Sequence, residues 1–69
     1  MITIEDYQNA LSFIHNSETN KRLNFPDFNS DAAHAECNAR IFERTNKMNN
    51  WLEKTGRMPP EVVILEVIS

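Results

Sequence analysis

The sequence predicts an all-α domain of two or three helices, built around one long central helix over about 30–55. Three observations lead there. Apolar residues recur at three- and four-residue steps in two separate stretches. A helix-starting side chain heads each stretch, Thr3 before the first and Ser30 before the second. Pro26 interrupts the chain between them, and the only glycine, Gly56, follows the second stretch just ahead of Pro59-Pro60.

The first helix opens with Thr3 and Asp6 spaced as a capping box, with Asp in place of the usual Glu or Gln. Glu5 and Asp6 lie in its first turn, where negative charge suits the helix dipole. Ile4, Tyr7, Leu11 and Ile14, with Ala10 beside them, form a core-facing stripe, and Phe13 lies off its centre. The stripe gives out after Ile14, so the helix is expected to end near His15 or Asn16.

Residues 16–29 read as a connection rich in Asn, Ser and Thr. Leu23, Phe25 and Phe28 stand out in it. Two aromatics three residues apart around a proline have two readings: a satellite core tucked under the helices, or an exposed anchor for a partner.

The second helix is the clearest element. Ser30 is a good N-cap, Asp31 follows in the first turn, and Gly56 after Thr55 is a C-terminal stop. That gives about seven turns at 3.6 residues per turn. Cys37, Ile41, Met48 and Leu52 share one face, flanked by Ala33, Phe42 and Trp51. Glu36, Arg40, Glu43, Lys47, Asn50 and Lys54 form the opposite, solvated stripe, with Glu36–Arg40 and Glu43–Lys47 spaced for helical ion pairs.

The segment from Glu61 to Ile68 supports two readings. Its β-branched residues suit a strand, which would make the fold α+β. Pro60 followed by Glu61 suits a helix start, and helix is the preferred reading. A lone strand would carry unpaired edges. Either way, Val62, Val63, Leu65, Val67 and Ile68 are expected to need burial.

One domain over 1–69 is expected, with no internal repeat or linker. A chain this size buries only roughly 60 % of the surface its unfolded form exposes. Small domains usually need a staple. Cys37 is the only cysteine, so an internal disulfide is impossible and association becomes the expected staple. A long helix in so short a chain points the same way, to a homo-oligomer or a complex with another protein.

The 41 % apolar and 25 % charged content is that of a globular chain, not a disordered one. A net charge of −3 argues against an electrostatic footprint for nucleic acid and is too small for a mimic of it. Met1-Ile-Thr-Ile-Glu-Asp lacks the pattern of a secretory signal, and the apolar run Val62–Leu65 is too short to span a membrane. With a lone cysteine, a reducing cytoplasmic setting is the expectation. Nine asparagines beside a single glycine suggest an AT-rich genome, such as that of a phage or another mobile element.

Catalytic chemistry has little to work with. His34 and Cys37 make an H-x-x-C spacing, but a structural zinc site needs four ligands and His15 is the only other histidine. The same pair lacks the glycines and orienting acid that an activated thiolate requires. One glycine cannot build a phosphate-binding loop. No catalytic residue, metal or cofactor is therefore expected. Arg40, Arg44, Lys47, Lys54 and Arg57 raise an alternative, a nucleic-acid-binding helix, but Glu36, Glu43 and Glu53 alternate with them.

What remains is binding. The expected function is a protein-binding module, and more specifically a small regulator or inhibitor that sterically occludes a larger protein or complex. A structural homo-oligomeric subunit is a further alternative. Phe25, Phe28, Trp51 and Arg57 are the expected partner-binding anchors, because aromatic residues and Arg dominate interface hot spots.

Overall fold

The computed structural model describes residues 2–66 and contains three helices: α1 (Ile4–Leu23), α2 (Asp31–Thr55) and α3 (Glu61–Glu66). The fold is all-α, and no strand occurs among the described residues. The preferred helical reading of the C-terminal segment holds for Glu61–Glu66. Val67 and Ile68 lie outside the described residues.

α1 starts where its cap places it. Thr3 Oγ1 accepts from the Asp6 amide at 3.1 Å, and Asp6 Oδ2 accepts from the Thr3 amide at 3.4 Å. Its end corrects the expectation near His15 or Asn16: the helix runs two turns further, to Leu23. Asn16, Ser17, Thr19 and Asn20 are weak helix formers, but Glu18 is buried and Ser17 and Thr19 are half-buried. Packing of that face against α2 overrides local propensity. Lys21 and Arg22 then sit in the last turn, on the favourable side of the dipole. Pro26, which has no amide hydrogen and restricts the residue before it, stops the helix from continuing.

α2 keeps both its expected ends. Ser30 Oγ accepts from the Ala33 amide at 3.1 Å. Gly56, at φ 67°, adopts the left-handed conformation and donates its amide to the Leu52 carbonyl at 2.8 Å. Along the solvated stripe, Arg40 lies 3.2 Å from Glu36 and Lys47 lies 3.9 Å from Glu43.

α1 and α2 form an antiparallel hairpin joined by residues 24–30. Tyr7, near the start of α1, donates its hydroxyl to Asn49 Oδ1 near the end of α2 at 2.7 Å. Further along, Glu18 of α1 meets Arg44 of α2. α3 closes over the hairpin. Val63 and Ile64 donate their amides to the Pro60 carbonyl, which fixes its first turn.

Each helix supplies one residue to the centre of the core: Ile14, Met48 and Ile64. Tyr7, Leu11, Phe13, Ile41, Leu52 and Met58 pack around them. Full burial of such a side chain stabilises by about 1.5–3 kcal/mol. The C-terminal expectation needs correcting here. Val62 is 58 % exposed, whereas Ile64, which was not singled out, is buried; the expected burial of Leu65 lies outside the described side chains. On so short a helix only one face reaches the hairpin.

Candidate functional site

The core face of the hairpin carries an ion pair as well as apolar residues. The helical stripe Tyr7, Leu11 and Ile14 continues, four residues on, to Glu18. On α2 the stripe of Cys37, Ile41 and Met48 includes Arg44. Both charged residues are all but fully buried, and Arg44 Nε lies 3.3 Å from Glu18 Oε1. The approach is off the line a hydrogen bond needs, so Arg44 Nε and both Glu18 carboxylate oxygens are buried without a hydrogen-bond partner. Arg44 spends Nη1 on the carbonyl of Ile64, at 2.7 Å. Lys21, half exposed, sits 3.6 Å from Glu18 and adds little through water. A buried pair made this way is costly to desolvate and gives weak stabilisation.

Beside this pair, a half-open cleft of about 470 Å³ separates the end of α1 from the start of α2. Glu18, Phe25, Ala33 and Cys37 are among the residues that line it. The Glu18 carboxylate oxygens have no surface of their own in the cleft. What faces solvent around it is mixed: Lys21, Arg22 and Arg40 against Asp27 and Glu36. Arg22 Nη1 donates to the Phe28 carbonyl at 2.7 Å and holds the connection against α1.

The four expected anchors fall into two groups. Phe25 and Phe28 sit on the connection, 60 % and 40 % exposed, with Leu23 exposed next to them. They are not a satellite core. Trp51 and Arg57 lie at the far end of α2, a helix roughly 37 Å long at 1.5 Å per residue. Trp51 is 37 % exposed and borders the seam with α3, beside Pro59, Val63 and Ile64. Arg57 is exposed, just past the helix. The structure therefore does not join these four into one patch. Phe42, on the outer face of α2, is 68 % exposed and was placed only on a flank by the sequence.

Catalytic and nucleic-acid readings gain nothing. His34 is exposed and its Nε2 lies 3.3 Å from Asn29 Oδ1, whereas Cys37 is buried. Among the described residues no three His, Cys, Asp or Glu side chains cluster as metal ligands. The basic stripe loses Arg44 to the core, and Arg40 and Lys47 face Glu36 and Glu43. Among the described residues no helix is long and apolar enough to cross a membrane. No family model, curated protein or solved structure matches this chain.

Proposed function

We propose that this protein is a protein-binding module whose docking surface is the connection end of the hairpin. The observation that carries this reading is the exposure of Leu23, Phe25 and Phe28 within six residues of each other, with Phe25 also lining the cleft. A solvated turn has no use for two bare phenyl rings, whereas aromatic groups held on a rigid support are what interface hot spots are made of. The support is tied at both ends: Arg22 bonds the connection to α1 and Ser30 caps it into α2.

The more specific proposal is a small regulator or inhibitor, of the kind mobile elements encode, that occludes a surface on a larger protein. Occlusion asks only for shape and apolar area, and the exposed Leu23, Phe25 and Phe28 offer apolar area. A tagged pull-down from extract of the source cell, or of its host, tests the reading. One large protein recovered at near-equal stoichiometry supports it. Recovery of untagged copies alone would favour a structural homo-oligomer.

A further inference from the structure

We propose that the outer face of α2 docks a second copy of this chain, antiparallel, about a two-fold axis that passes between Ile41 and Phe42. The face is the one turned away from α1. Cys37, Arg44 and Met48 are buried on the inner side, while Ala35, Ala39, Phe42 and Asn46 follow one another at helical steps on the outer side, all exposed. Phe42 stands at the centre of this face, 68 % exposed, the barest aromatic ring among the described residues.

The ring alone does not say what covers it; the charges beside it do. Glu36, Arg40, Glu43 and Lys47 run along one flank of the face with alternating sign. A two-fold axis between Ile41 and Phe42 brings Glu36 level with the second copy's Lys47, and Arg40 level with the second copy's Glu43. All four charges then meet the opposite sign across the seam, and each pairing occurs twice. The four side chains keep 40 % or more of their surface, so each can hold its ion pair within α2 and take another across the seam. Only the antiparallel arrangement does this. In a parallel pair the charged flank would face the other flank, where Asn38 and Thr45 carry no charge. The apolar centre fits the same axis: Ala39 of each copy falls opposite the other's Phe42, and such small residues let two helices approach to about 8 Å. A single helix pair covers less than a standard interface, so the dimer is weak and its population follows concentration. This face is separate from Leu23, Phe25 and Phe28, and the proposal does not depend on that region binding a partner.

Sedimentation equilibrium of the full chain, from micromolar to millimolar, tests it. The wild type is expected to pass from monomer to dimer. Arg40→Glu and Glu43→Lys each set like charges together at two points of the seam and are expected to weaken the dimer at least ~10-fold. Mixed in equal amounts, the two variants restore both pairings, and a heterodimer is expected to form. Phe42→Ser is expected to stay monomeric, with the helical signal of the wild type at dilutions where both are monomers. A wild type that is monomeric at every concentration overturns the proposal. So does a Phe42→Ser variant that dimerises like the wild type, or a mixture of the charge variants that associates no better than either alone.

Discussion

Arg44 Nε stands 3.3 Å from Glu18 Oε1, with both side chains shut off from solvent, and this pair bridges α1 and α2 beside a largely apolar core. Its geometry gives it a sign. Removing one partner strands a buried charge; removing both removes the cost. Arg44→Met is expected to destabilise by about 3–5 kcal/mol, and Glu18→Leu/Arg44→Met to be near neutral or stabilising. Urea unfolding followed by far-UV circular dichroism separates the two. A double variant as unstable as the single would mean that the pair itself holds the hairpin together.

The core has one residue per helix at its centre, so each is hard to replace. Ile14→Ala leaves a cavity against Met48 and Ile64 and is expected to cost about 2–5 kcal/mol. In a domain this small that is a large part of the total stability. Phe42→Ser, on the exposed face of α2, is expected to change stability by no more than about 0.5 kcal/mol. Thermal melts of the two variants side by side give the contrast.

Gly56 is the one residue with a positive φ among the described residues, and a Cβ built there meets nothing within 4 Å. The cost of Gly56→Ala is therefore conformational, not steric crowding by neighbours, and is expected at about 1–2 kcal/mol. Gly56→Asn, which tolerates the left-handed region better, is expected to recover part of it. Equal stability of all three would show that the C-terminal stop of α2 has another source.

Tyr7→Phe tests the far end of the hairpin. It removes the 2.7 Å bond to Asn49 and leaves the amide side chain half-buried with one partner fewer. A loss of about 0.5–1.5 kcal/mol is expected, read from the urea midpoint at unchanged slope.

Much of this architecture was legible from the sequence, and the reasons are local. Thr3, Ser30 and Gly56 mark helix ends through bonds within a few residues of themselves, so α2 was placed at both ends and α1 at its start. The end of α1 was misplaced because Ile14 is followed, one helical step on, by a glutamate. A charged residue on a core stripe reads as the stripe's end unless its counter-charge is known. Arg44 was likewise assigned to a basic surface, although it sits four residues before Met48 on the buried face. Taken together, an acid continuing one apolar stripe and a base interrupting the other were the available signal for a buried pair. The division of the expected anchors was partly legible: Phe25 and Phe28 fall together on the connection and Trp51 on the second helix. That Phe25 and Trp51 are separated by most of the length of α2 follows from the unbroken helix Asp31–Thr55.

On the proposed reading, the exposed rings of Phe25 and Phe28 serve a partner and not the fold. The direct measurement is to repeat the pull-down with Phe25→Ala/Phe28→Ala and to melt the same variant alone. An unchanged helical signal, a small change in melting temperature and loss of the stoichiometric partner are expected. Retention of that partner by the variant, or collapse of the helices without the two rings, would contradict that reading.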